Sequence, residues 1–313
     1  MLKRLRPSRW FWRINNNREA RLILGLLERI GPIDLIHSHF SAAAGAIPHV
    51  SRVAGIPFVH TEHSSHLASP DPLRSTSRAG RAIMKQVFAA AKAVMLVGPD
   101  QLAAVRKLGL RGNITVVGNP VPSELFSAPK ERARAGTRLI SVGDLIPRKR
   151  QGLAIAAMAI VRRQMPVELH LVGSGPDEPK LRDLVSNLDL EAAVVFHGRL
   201  PRSEIAHLLA ESDLYLHVSA TESFGVAIVE ALFSGVPVVT TRCGGVTSDL
   251  STSVARLVDN EEPAEVARAV IESLDSDRFL KPTEIAAWAK ERFGPEAVGQ
   301  RIEANYRMAL AGG

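Results

Sequence analysis

Two rhythms alternate along this chain. Short apolar runs of strand length recur throughout, and between them lie stretches whose apolar residues return every three or four positions, the spacing of a helix face. Strands alternating with helices predict parallel sheets built from βαβ units. The strand runs fall into two sets. The first reads DLIHSHF (34–40), PFVHTEH (57–63), AVMLVG (93–98) and ITVVGN (114–119), with helices expected around 17–30, 41–54, 76–91 and 100–109. The second reads RLISVGD (138–144), ELHLVG (168–173), VVFHG (194–198), LYLHVS (214–219), VVTT (238–241) and VARLV (254–258). Six such strands make a complete doubly wound unit, with the order 3-2-1-4-5-6. Between the sets, residues 119–137 are rich in proline and charge and read as a linker. The expected domains are 1–128 and 138–280, joined by 129–137, and two helical segments broken at Gly294-Pro295 occupy residues 281–313.

A length of 313 residues, 46% of them hydrophobic, is enough for two α/β domains with separate cores. The single cysteine, Cys243, allows no intramolecular disulfide, which fits a reducing compartment and predicts a cytoplasmic protein; the thiol itself reads as a small filler. The opening MLKRLRPSRWFWR mixes five basic residues with Trp10, Phe11 and Trp12 but lacks the apolar core and cleavage site of a signal peptide. VFAAAKAVMLVG is too short to span a membrane and is interrupted by Lys92. Charge is unevenly divided. Residues 1–137 carry 20 Lys and Arg against 8 Asp and Glu, a net of +12, whereas residues 138–313 carry 19 against 24, a net of −5. The asymmetry predicts an anionic partner for the N-terminal half, either a membrane surface met peripherally or an acidic acceptor. No nucleic-acid motif or aromatic stacking platform accompanies it, so nucleic acid is not expected as a partner.

The chemistry concentrates in TESFGVAIVEALFSGVPVV (221–239). The strand LYLHVS leads into it, a helix opens near Phe224-Gly225, and a second strand follows the Gly235 stop. Glu222 is thereby placed in the loop at a strand's C-terminal end, where ligands bind in parallel sheets. Glu230 falls inside the helix between Val229 and Ala231. A carboxylate there either snorkels to solvent or needs a hydrogen-bond partner, a role that a pair of sugar or ribose hydroxyls would suit. In LISVGDLIPRKRQGLAIAAMA, the cations Arg148, Lys149 and Arg150 precede an amphipathic helix; they are either a solvated basic turn or a cradle for a leaving diphosphate. Gly173 and Gly175 lie between strand and helix in LVGSGP, and Gly244 and Gly245 follow VVTT; such glycines make turns or let a ligand approach backbone amides. His37, His39, His60, His63 and His66 cluster without a carboxylate or cysteine at ligand spacing, so no metal site is predicted.

Glu222, Phe224, Gly225, Glu230, Gly235 and Pro237 together resemble the donor-site signature of retaining glycosyltransferases of family 4: Glu, seven residues, Glu, with Phe-Gly near the first acid and Gly-x-Pro closing the helix. The resemblance implies the GT-B fold, two Rossmann-like domains with the final helix returning to the first. It also implies a hexosyl transfer, with retention and without a metal or cofactor, from a UDP- or GDP-sugar to a glycan, lipid-linked or small-molecule acceptor. Carried over residue by residue, Glu230 would hold the ribose, Lys149 and Arg148 the diphosphate, and Glu222 with Ser223, Phe224 and Gly225 the sugar. Gly173, Gly175, Gly244 and Gly245 would border the nucleotide, and His63 would face the transferred sugar from the acceptor side. Where family members often carry an arginine after the first donor-domain strand, Asp144 stands here, with Arg148 as its substitute. Two rivals remain: a nucleotide-sugar-binding remnant, and an epimerase with Glu62 as its acid. The resemblance begins near Asp34, about halfway through the family's N-terminal domain, which implies that roughly two or three strands are missing before it. LIHSHF would then be an open sheet edge unless residues 1–13 or another chain cover it.

Overall fold

The computed structural model describes residues 9–128, 136–259, 261–274 and 278–311, with side chains from residue 17 onward. Residues 1–8 of the basic opening segment and most of the expected linker therefore lie outside the described residues. The chain divides into two compact units, residues 1–118 with 299–313, and residues 119–298. Residues 119–128 and 281–298 thus count with the second unit, whereas the sequence pattern set a boundary at 128 and joined 281–298 to the helices that return to the first.

The first unit begins with α1 (Arg9–Ile30) and continues through β1 (Ile36–His39), α2 (Ile47–Ala54), β2 (Phe58–Glu62), α3 (Pro72–Ser75), α4 (Arg78–Ala90), β3 (Ala93–Leu96), α5 (Gln101–Lys107) and β4 (Ile114–Val116). The four strands pair in sequence order, all parallel, with β1 and β4 at the edges. Strand side chains alternate between faces. Phe58, Val94 and Leu96 therefore pack on Met84, Val87 and Phe88 of α4 and Val105 of α5, while Val59 and Met95 face Ile302, Tyr306 and Ala309 of the C-terminal helix. The helix expected from 41 begins only at Ile47. Phe40 takes a left-handed φ of 56°, and the amide and hydroxyl of Ser41 are spent on the Glu62 carboxylate, so residues 41–46 form turns instead.

The second unit runs β5 (Thr137–Val142), α6 (Gln151–Val161), β6 (Val167–Val172), α7 (Glu178–Asn187), β7 (Val194–Gly198), α8 (Arg202–Ala210), β8 (Leu214–His217), α9 (Val226–Phe233), β9 (Val238–Thr241), β10 (Ala255–Val258), α10 (Pro263–Leu274) and α11 (Pro282–Phe293). The last helix, α12 (Pro295–Ala311), starts here and continues into the first unit. All six strands are parallel in the order β10-β9-β8-β5-β6-β7. Numbered within the unit this is 3-2-1-4-5-6, the predicted doubly wound order. One face packs Leu139, Leu169, Leu171, Leu214 and Leu216 against Ala154, Ile155 and Met158 of α6 and Val266 and Val270 of α10. By alternation, Tyr215 and His217 of β8 point to the opposite face. Because β5 is followed by β6 on one side while β8 lies on the other, the chain changes direction between β5 and β8, and the loops leaving their C-terminal ends open a crevice there. No helix among the described residues is long and apolar enough to cross a membrane.

Candidate functional site

The crevice between β5 and β8 is built by two loops that hold each other. After β5 the chain passes through Gly143, makes a 3-10 turn at Pro147–Lys149, and enters α6 through Arg150 in a left-handed conformation. After β8 it runs to Gly225, which precedes α9. The Ala220 amide donates to the Arg148 carbonyl (2.8 Å), the Arg148 guanidinium donates to the Thr221 carbonyl (2.8 Å), and the Glu222 amide donates to the Cys243 carbonyl (2.6 Å). Three backbone segments thereby fix the position of one carboxylate.

That carboxylate, on Glu222, is 7% exposed and surrounded by positive or ionisable groups. The Lys149 ammonium lies 2.5 Å from Oε1, the Arg148 guanidinium 3.3 Å from Oε2, and His217 Nε2 3.2 Å from Oε1. The imidazole stands within hydrogen-bonding distance of the carboxylate, but Nε2 lacks the alignment of a hydrogen bond. Burial alone would raise the carboxyl; His217 and the Lys149 ammonium outweigh it and hold Glu222 well below the usual carboxylate range. His217 is likewise lowered from its ordinary value, first by burial and further by Lys149 and Arg148, against the pull of Glu222. The sequence reading assigned these residues separately, Glu222 to a sugar and the two cations to a phosphate; here they form one mutually neutralising cluster.

Glu230, one turn into α9, is equally buried, but no polar pocket awaits it alone. The guanidinium of Arg202, the first residue of α8, is ion-paired with its carboxylate and also lies 5.8 Å from the centre of the Phe126 ring. Burial pushes the Glu230 carboxyl up despite that cation. The partner that a carboxylate buried at this position needs is supplied within the chain by the Arg202 cation.

Three of the glycines have a local explanation. A Cβ on Gly173, whose φ is +138°, would sit 2.0 Å from the Gly143 carbonyl oxygen, and one on Gly245 would sit 2.3 Å from that of Phe224. The approaching group in each case is this chain's own backbone, drawing the β6 loop onto the β5 loop and the β9 loop onto the start of α9. Gly175 likewise faces the Leu145 carbonyl, and Gly244 takes a φ of 84°. The Phe224 ring is buried edge-on to Phe293, and its carbonyl accepts from the Val246 amide, so this residue braces the loop from within. Ser223 is half-buried beside Glu222. Arg150 turns away to pair with Glu261.

His63 belongs to the first unit, at the C-terminal end of β2, where its Nε2 lies 3.0 Å from His39 Nδ1 and its ring 4.8 Å from that of the exposed Phe40. His37 bridges Tyr306 (2.6 Å) and Thr61 (2.7 Å). Burial, with His39, His60 and His63 adding to it, brings His37 down to about 4. Glu62, the acid on which an epimerase would depend, is fully buried. It accepts from the Ser41 amide (3.1 Å), the Ser41 hydroxyl and the Ser64 amide (2.9 Å), so it ties two loops together and presents no free carboxyl. Among the described residues no three His, Cys, Asp or Glu side chains converge as a metal set.

Sequence reasoning missed Arg202, Tyr215 and His217. For the last two a signal existed, because their spacing of two in LYLHVS puts both polar groups on one face of an otherwise apolar strand. Nothing in GRLPRSE marks Arg202 as a partner of a residue 28 positions later.

Comparison with known proteins places this fold. The family profile of glycosyl transferases group 1 matches residues 124–292, and that of glycosyltransferase family 4 matches residues 2–125. A D-inositol 3-phosphate glycosyltransferase of Acidothermus cellulolyticus is 30% identical over 314 aligned positions, covering 90% of this chain and 68% of the relative. Another enzyme of that name, from Frankia alni, is 28% identical over 90% of this chain and 75% of its own length. Among solved structures, Anabaena Alr3699/HepE in complex with UDP superposes with a TM-score of 0.80 at 22% identity, covering 93% of this chain and 81% of that one. With one family profile spanning more than half its length and two parallel-sheet units in its structure, the chain belongs to the group 1 glycosyl transferases of the GT-B fold.

Proposed function

We propose that the second unit binds a nucleotide diphosphate sugar at the β5/β8 crevice and that the chain transfers the hexosyl unit, with retention and without a metal ion, to a glycan, lipid-linked or small-molecule acceptor. The observation that carries this reading is the convergence of Lys149 and Arg148, from the loop after β5, with Glu222, from the loop after β8, at the sheet's switch point. Two cations held beside the start of a helix suit a diphosphate, whose charge grows as the glycosidic bond breaks. Glu222 then takes the sugar, with the backbone of Ser223, Phe224 and Gly225 beside it, and Glu230 takes the ribose hydroxyls, shared with Arg202. The glycine-lined loops at Gly173, Gly175, Gly244 and Gly245 border the nucleotide, and His63 serves the acceptor side. Support comes from the relatives named for glycosyl transfer and from Alr3699/HepE, a fold neighbour solved with UDP-glucose.

In retention the acceptor hydroxyl attacks the face from which the diphosphate departs. The anomeric carbon–phosphate oxygen bond breaks, the carbon–acceptor oxygen bond forms, and the acceptor's proton passes to the departing phosphate oxygen. The protein's share is positioning and charge stabilisation. A panel of UDP- and GDP-sugars incubated with the purified chain, with and without chelator, tests the reading. Nucleoside diphosphate release that survives chelation and falls at least a hundredfold in Lys149→Ala is expected, with an anomeric proton of unchanged configuration in the product. No release from any donor, or inversion, would overturn it.

A further inference from the structure

The proposed function gives His217 nothing to do, yet its placement is costly. It is 3% exposed at the end of β8, a site where an apolar side chain would serve the strand as well. Its Nδ1 lies 3.3 Å from the hydroxyl of Tyr215, which is itself fully buried and donates to the Val142 carbonyl (3.2 Å). Its Nε2 faces Glu222 without an aligned hydrogen bond. A buried nitrogen left in this state calls for a reason.

The reason lies in what Glu222 loses on binding. With Lys149 and Arg148 both on the carboxylate, a third partner is superfluous, and the two cations oppose a charge on the imidazole. Once a diphosphate draws those cations toward itself, Glu222 becomes a buried carboxylate with His217 as its remaining neighbour. An imidazolium fits that moment: Nε2–H donates to Glu222 and Nδ1–H to the Tyr215 hydroxyl, which keeps its own bond to Val142. We propose that His217 is a positioning residue that takes up one proton from solvent when an anionic diphosphate engages Lys149 and Arg148, and then holds Glu222 in register by a charged hydrogen bond. The inference rests on the donor reading of this site.

The other groups facing the imidazole do not compete for that proton near neutral pH. The Tyr215 phenol is raised well above its ordinary value by burial and then by Glu222, burial pushes the Cys243 thiol up to about 12, and Glu222 is held low. A base whose pKa rises on binding strengthens binding at lower pH. Affinity should therefore fall as pH climbs through the complex's His217 value, by up to about tenfold per pH unit.

Two measurements on the full chain decide it. In Lys149→Ala, which mimics withdrawal of the cation without any ligand, the His217 imidazole followed by NMR should titrate at higher pH than in wild type; an unchanged titration overturns the coupling. Calorimetric titration with UDP-glucose, whose esterified diphosphate does not titrate near neutrality, in buffers of different ionisation enthalpy should show proton uptake in wild type and none in His217→Gln. Tight binding with no uptake in wild type overturns the proposal. Absent UDP-glucose binding beside a raised His217 titration in Lys149→Ala would tell against the donor reading and for the coupling.

Discussion

Replacing Glu222 by glutamine removes a charge and keeps the shape, and the structure sets how much that should matter. Removing one partner of a buried ion pair costs about 3 to 5 kcal/mol, because the remaining charge is stranded. Here the stranded groups differ: the Lys149 side chain is 15% exposed and cannot readily regain water, whereas Arg148 is 37% exposed and can. The glutamine oxygen also still accepts one hydrogen bond. Discounting for both gives about 2 to 3 kcal/mol. Since a two-unit chain need not unfold in one step, hydrogen exchange in β5 and β8 of the intact protein is the suitable assay. Protection there should fall by roughly 30- to 150-fold at 1.36 kcal/mol per decade. The pH dependence has a definite sign. Glu222 is depressed in the folded state, so its stabilisation is complete above the unfolded carboxylate value of about 4.3 and is lost as pH falls toward the folded value. The gap between wild type and variant should therefore narrow in acid. Equal protection within twofold at pH 7, or a gap that widens on acidification, would refute the claim that Glu222 is the keystone of this cluster.

Gly173→Ala should lower the urea midpoint of the second unit by an amount worth about 3 kcal/mol or more, since the new methyl meets the Gly143 carbonyl and the left-handed backbone adds strain; a change under about 1 kcal/mol would mean that the two loops separate easily. Arg202→Ala should raise the Glu230 carboxyl further above its ordinary value, visible in carboxyl carbon NMR. A carboxyl raised in the folded state lowers stability as pH climbs past the unfolded value, so this variant should lose stability more steeply than wild type between acid and neutral pH. Glu62→Gln should release the Ser41 and Ser64 amides to faster exchange at a cost of about 1 to 3 kcal/mol, with β3 and β4 unaffected; exchange unchanged at both serines would show that the carboxylate does not pin these loops.

What was legible in the sequence was whatever depends on local pattern. Ten strands and the strand order of the second unit follow from short apolar runs between helical repeats, because a doubly wound sheet writes each strand as a separate run. Glu222 and Lys149 could be singled out because each sits just past a strand end. Helix starts were less legible. The stretch from 41 has helical spacing, yet Ser41 is captured by Glu62, twenty-one positions away, and the helix waits until Ile47. Long-range partners were illegible for the same reason. Arg202 reaches Glu230 only because folding brings the start of α8 to that residue, and Arg148 reaches Glu222 only because β5 and β8 are neighbours in the sheet, facts that no window of sequence contains.

The two carboxylates of the signature share one property that the sequence hides. Each is about 7% exposed, and each is already held by a cation from a distant part of the chain, Glu222 by Lys149 and Arg148, Glu230 by Arg202. Isolated, such buried charges would be severely unfavourable or would neutralise by taking up protons. Paired, they can wait in a formed crevice. Any ligand that uses these groups must therefore exchange partners with the protein, so its net affinity reflects the difference between two sets of ion pairs and falls below the sum of its own contacts. On this view the cations set the charge and geometry that an incoming anion must match, and removing Arg202 or Lys149 should alter which ligands bind as well as how tightly.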